Sequence, residues 1–149
     1  MKKTEQIFTT DSSIKTQQIG EEFGKSLKGG EVIALFGELG SGKTTFVQGL
    51  AKGLGITRRI LSPTFVLVRE HRIKNGELGI MNLYHIDLYR IENSKDFRSL
   101  GLEEILNDKS AIVAIEWAEK MGNLLPEKRV DIYFEYLGED KRKIRIHSS

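Results

Sequence analysis

Two unbroken apolar runs stand out from an otherwise alternating chain: Val32-Ile33-Ala34-Leu35-Phe36, set off by Gly29-Gly30, and Ala111-Ile112-Val113-Ala114-Ile115. Neither carries a polar position, as strands buried on both faces require. Shorter segments alternate instead. Residues 6–10 form a short strand candidate, and a strand beginning at Phe65 runs towards Ile73. Asn75-Gly76 then signals a turn into a returning strand over 80–88. A second hairpin is expected from 130–136 and 143–147 around Gly138-Glu139-Asp140.

Helical spacing appears in two longer segments. Asp11 or Ser12 caps a helix whose apolar stripe is Ile14, Ile19, Phe23 and Leu27. Phe46, Leu50 and Leu54, with Val47 and Ala51 beside them, mark a second helix that Gly53 or Gly55 stops. Ser94 caps a more polar stretch in which Phe97, Leu100, Leu102, Ile105 and Leu106 predict one or two small helices. So few helices cannot cover a regular βαβ array. A mixed sheet follows, with antiparallel hairpins added to a small parallel centre. No repeat or linker interrupts residues 1–149, so one three-layer α/β domain is expected.

Composition narrows the chemistry. The 149 residues are 39% hydrophobic and 30% charged with net charge +2, a globular balance too neutral for a surface that coats nucleic acid. The basic run Lys141-Arg142-Lys143-Ile144-Arg145 alternates around Ile144 and Ile146 and reads as the solvated face of a strand. Without cysteine there are no disulfides or thiolate metal sites, and His71, His85 and His147 make no ligand spacing. No apolar run approaches the roughly 20 residues of a membrane helix, and no apolar stretch follows Lys2-Lys3. A cytoplasmic protein with no membrane or DNA partner is expected.

The strongest chemical signal is Gly37-Glu38-Leu39-Gly40-Ser41-Gly42-Lys43-Thr44, a complete G-x-x-x-x-G-K-[ST] loop between the first apolar run and the second helix. Gly37, Gly40 and Gly42 let the backbone approach phosphate oxygens, and the helix start, with Ser41 and Thr45 beside it, points its amides at the anion. Lys43 supplies a charge for the β- and γ-phosphates, and the Thr44 hydroxyl is a ligand for Mg²⁺.

Such a loop needs acidic partners. Glu116 ends the second apolar run, at the sheet edge where α/β proteins bind ligands, and is placed like a Walker B acid. A strand-end carboxylate paired with a lysine gives the same pattern. Asp87 lies in Tyr84-His85-Ile86-Asp87-Leu88-Tyr89-Arg90, where alternation puts His85, Asp87 and Tyr89 on one face. That face is either a polar site, with Asp87 on Mg²⁺ directly or through water, or an exposed hairpin surface. Trp117 reads first as core. Ser62-Pro63-Thr64-Phe65 follows the loop helix, where a γ-phosphate-sensing segment or an ordinary turn fits equally.

Taken together in this order, the glycine loop with Thr45, Ser62-Pro63-Thr64-Phe65, Tyr84 to Arg90 and Ile115-Glu116-Trp117 resemble the TsaE family, the bacterial P-loop ATPases of tRNA threonylcarbamoyladenosine synthesis. The resemblance implies the P-loop NTPase fold and an ATPase that uses ATP and Mg²⁺. It also implies a complex with TsaB and TsaD, through which tRNA is met indirectly. Low activity is expected without those partners. By the same resemblance, Lys43, Glu116 and Asp87 are catalytic, and Thr44, Glu116 and Asp87 serve the metal. Thr64 joins the site, while Asp11, Ser12 and Arg142 (or Lys141) lie around the base. Glu38 departs from the family's more frequent Asp, as does Ala118-Glu119 where a proline is common.

The same loop serves a small-molecule or nucleotide kinase, with Arg69, Arg72 and Arg90 available, but no lid-length helical insertion is visible. A regulatory GTPase-like switch lacks an N-K-x-D base-reading motif here. A binding module that holds nucleotide without turnover shares every feature of the loop.

Overall fold

The computed structural model describes residues 4–58, 60, 67–73, 79–80, 82–92 and 101–148. The expected turn at Asn75-Gly76, the segment Ser62-Pro63-Thr64-Phe65 and the stretch holding Ser94, Phe97 and Leu100 lie outside the described residues.

Among the described residues, seven strands form one sheet: β1 (Thr4–Thr10), β2 (Val32–Phe36), β3 (Val68–Arg72), β4 (Asn82–Asp87), β5 (Ala111–Glu116), β6 (Val130–Gly138) and β7 (Lys141–Ser148). Their spatial order is β1-β7-β6-β2-β5-β4-β3. The centre β6-β2-β5-β4 is parallel, and β3, β7 and β1 join antiparallel. This is the mixed sheet with hairpin additions that the alternation patterns predict. The two apolar runs are the two innermost strands of that centre, β2 and β5, and β5 is buried along its whole length.

Side chains from opposite faces of β2 enter two separate cores. Ile33 and Leu35 pack with Phe46, Val47 and Leu50 of α2 (Lys43–Gly53), beside which lies α1 (Ser13–Lys25). Val32 and Ala34 face the other way, towards Leu102 of α3 (Leu102–Leu106) and Ala118 and Met121 of a 3₁₀ stretch, Ala118–Leu124. Helical layers thus cover both faces of the parallel centre.

The expected stripe on α1 is corrected at one position. Ile19 and Phe23 pack against the core and Leu27, just beyond the helix, is buried in it, but Ile14 is 68% exposed. The face of α1 turned to α2 is made of small residues: Thr16, Gly20 and Gly24 are buried. A Cβ on Gly20 would lie 2.3 Å from the Phe46 carbonyl oxygen, and one on Gly49 only 1.9 Å from that of Gln17. The helices meet backbone to backbone. Glycine at four-residue spacing on both helices (Gly20 and Gly24, Gly49 and Gly53) permits this, and α2 is thereby held with the glycine loop at its start.

Candidate active site

Parallel pairing sets the site's position. Leu35 of β2 pairs with Glu116 of β5, and Glu116 with Asp87 of β4, so the ends of three neighbouring strands meet at one sheet edge. The chain leaves β2 into the glycine loop at that edge, where the crevice beyond the strand ends is the usual ligand position. A cavity of about 290 Å³ lies there, lined by the loop from Leu39 to Thr45 and by Asp87, Glu116, Trp117 and Arg142.

The loop folds as its glycines require. Gly37 and Gly42 have φ of 150° and 107°, the second immediately before α2 begins. A Cβ on Gly37 would sit 2.7 Å from both the Phe134 carbonyl and Ser41 Oγ, so side chains are excluded by space as well as by backbone. Ser41 Oγ is buried without a partner among the described residues.

Lys43 is 4% exposed. Its Nζ donates to the Gly37 carbonyl and, at 2.9 Å, to that of Glu38, and lies 4.1 Å from the centre of the Trp117 ring. Burial lowers its pKa, while Glu116, Glu119, Asp87 and Glu38 pull the other way. Among the described residues this ammonium is held by loop carbonyls and a ring face, with acids nearby, contacts that an anion in the cavity can replace.

Thr44 Oγ1 donates to Glu116, 2.9 Å from Oε1 and 3.0 Å from Oε2. Glu116 is therefore no lysine-paired surface acid: its hydrogen-bond partners are Thr44 and, at 2.5 Å, His85 Nε2. The hydroxyl and carboxylate together are the hard oxygen donors that suit Mg²⁺.

Asp87 is 6% exposed, which decides for a polar site over an open hairpin surface. It accepts a hydrogen bond from the Tyr89 amide at 3.0 Å and lines the cavity with Glu116. Arg142 forms the outer wall: it donates to the Gly40 carbonyl at 3.1 Å and stacks 4.6 Å from the centre of the Tyr136 ring.

Other expected positions fall differently. Asp11 is ion-paired with Lys15 at 2.9 Å, and Ser12 caps α1 by accepting from the Lys15 amide. Neither lines the cavity; Ser13, the next residue, and Thr16, one helical turn beyond Ser12, do. Thr64 lies outside the described residues. Trp117 packs against the second core, as read, and also borders the cavity, in a left-handed conformation (φ 60°, ψ 40°) with its ring against Lys43. The role of His85 and the lining by Asp140 are not visible in the motifs. Only the β4–β5 alignment reveals the first, and the position of the β6–β7 turn the second.

A family model described as "Threonylcarbamoyl adenosine biosynthesis protein TsaE" matches residues 10–144. A Nostoc sp. protein named as the tRNA threonylcarbamoyladenosine biosynthesis protein TsaE is 43% identical over 143 residues, covering 94% of this chain and 83% of its own. The Bacillus subtilis protein of that name is 38% identical over 130 residues, covering 87% and 77%. A crystal structure of Bacillus subtilis YdiB superposes with a TM-score of 0.80 at 30% identity, covering 99% of this chain and 88% of that one. With the match running from the end of β1 into β7, the chain belongs to the TsaE family.

Proposed function

We propose that this chain is a Mg²⁺-dependent ATPase with the P-loop NTPase fold, acting as an accessory subunit beside TsaB and TsaD in tRNA threonylcarbamoyladenosine biosynthesis. The relatives' names supply the pathway. The observation that carries the chemistry is the contact of Thr44 Oγ1 with both oxygens of Glu116, beside Lys43 and Asp87 in one cavity.

Each residue has a physical task in this reading. The loop amides and the start of α2 attract the phosphates, and Lys43 leaves the Gly37 and Glu38 carbonyls to neutralise charge on them. Thr44 and Glu116 hold Mg²⁺, which when bound supplies further positive charge at the β- and γ-phosphates. Asp87, buried at the same sheet edge, orients the attacking water. Arg142 holds the outer wall against the nucleoside.

The test is ATP hydrolysis by the purified chain, alone and with TsaB and TsaD added. Phosphate release without any acceptor, strongly stimulated by the two partners, is the expected result. ATP consumed only when an acceptor is supplied would replace this reading with a kinase, and hydrolysis indifferent to TsaB and TsaD would remove the accessory role beside them.

A further inference from the structure

Glu116 is the hinge of the site chemistry, and what fixes its rotation is not in the glycine loop. Thr44 has one hydroxyl proton and lies nearly equidistant from the two carboxylate oxygens, so it selects neither. His85 does select. Its Nε2 lies 2.5 Å from Oε2 and its Nδ1 has no partner among the described residues. A carboxylate only accepts, so the bridging proton belongs to His85 Nε2.

The burial of this pair is unusual. The His85 side chain is wholly buried and that of Glu116 is 4% exposed. Leu83, two residues earlier on the same face of β4, is also fully buried, so the strand accommodates an apolar side chain there. An imidazole with one unsatisfied nitrogen is a poor way to fill such a position. It makes sense as a device that acts on Glu116.

We propose that His85 is the positioning residue of this site: its Nε2–H pins Glu116 Oε2 and leaves Oε1 beside Thr44 as the oxygen offered to the nucleotide's metal. This rests on the Mg²⁺-nucleotide reading above and extends it to a residue behind the cavity, which touches neither nucleotide nor metal. Without the pin the carboxylate turns freely and neither oxygen is held ready for the metal. Metal-assisted binding then suffers, and metal-free binding does not.

Calorimetric titration of the full chain with a non-hydrolysable ATP analogue, in Mg²⁺ and in excess chelator, separates these effects. In His85→Leu the gain in affinity from Mg²⁺ should shrink by about tenfold or more, as loss of such outer partners does to metal sites. Metal-free affinity should stay within about twofold on the same grounds. His85→Gln, whose amide N–H reaches the same oxygen, should recover most of the gain. If His85→Leu does not fold, His85→Gln against His85→Asn, one bond shorter, gives the same comparison. An unchanged Mg²⁺ gain, an equal loss with and without Mg²⁺, or a glutamine no better than leucine or asparagine would overturn the assignment alone. Wild-type chain that binds no nucleotide would overturn the ATPase reading as well.

Discussion

The inner and outer walls of the cavity are built on opposite principles. On the inner side, Lys43, Asp87 and Glu116 are buried, come from α2, β4 and β5, and Glu116 is fixed by the side chains of His85 and Thr44. On the outer side, Arg142 comes from the β6–β7–β1 wing and is held by carbonyl oxygens and the Tyr136 ring. Desolvated charges interact strongly and tolerate little displacement, whereas exposed ones are screened and adaptable. In the proposed ATPase, chemistry belongs to the first wall and grip to the second.

Substitutions should expose this contrast, and the largest effect is expected at Lys43. Lys43→Ala should abolish nucleotide binding or reduce turnover by about 100-fold or more, whereas Glu116→Ala should spare metal-free binding, lose the gain in affinity from Mg²⁺ and damage turnover to a similar degree. Near wild-type hydrolysis by purified Lys43→Ala would remove the distinction between the walls altogether.

Next comes the support of the inner wall. Gly49→Ala inserts a Cβ into the Gln17 carbonyl and should cost about 3 kcal/mol or more, read as a lower urea midpoint. An unchanged midpoint would mean that the helices slide apart at no cost.

A smaller change is expected on the outer wall. Arg142→Ala loses one ring stack and its bonds to exposed carbonyls, together about 1–2 kcal/mol, so ATP affinity should fall by about tenfold with kcat little altered. A drop in kcat matching that of Glu116→Ala would make the outer wall part of the chemistry.

The smallest effect concerns His71, beside the inner wall on β3. Burial and the nearby His85, Arg58 and Arg69 hold its pKa below the ordinary 6.5. The unfolded chain then binds the proton more readily than the folded one, so stability is full above about 6.5 and declines as pH falls towards the lowered value. The slope cannot exceed about 1.4 kcal/mol per pH unit for one group. Urea midpoints between pH 7.5 and 5.5 should drop less in His71→Gln than in the wild type. Equal drops would assign the acid sensitivity to other groups.

How much of this was legible in the sequence varies with the kind of contact. The apolar runs are β2 and β5, and the hairpin around Gly138-Glu139-Asp140 is β6–β7. Lys43, Thr44 and Glu116 were legible because each sits at a strand or helix end marked by its own flanks. The adjacency of Asp87 and Glu116 was not, since it depends on the β4–β5 register. Neither was His85, whose partner lies on another strand. Ile14 misled because the contact face of α1 is glycine, which carries no hydrophobic signal. Ser13 and Thr16 line the cavity where Asp11 and Ser12 do not, because the helix begins there and brings the first turn, with buried Thr16, alongside it.

The glycine seam between α1 and α2 has a mechanical consequence. Where side chains interleave, rotamer changes absorb small displacements; where backbone touches backbone there is no such cushion. The helix pair is therefore stiff where its glycines meet, with the glycine loop at one end. A shift of α1 should be accompanied by a shift of Lys43 and Thr44 at the start of α2.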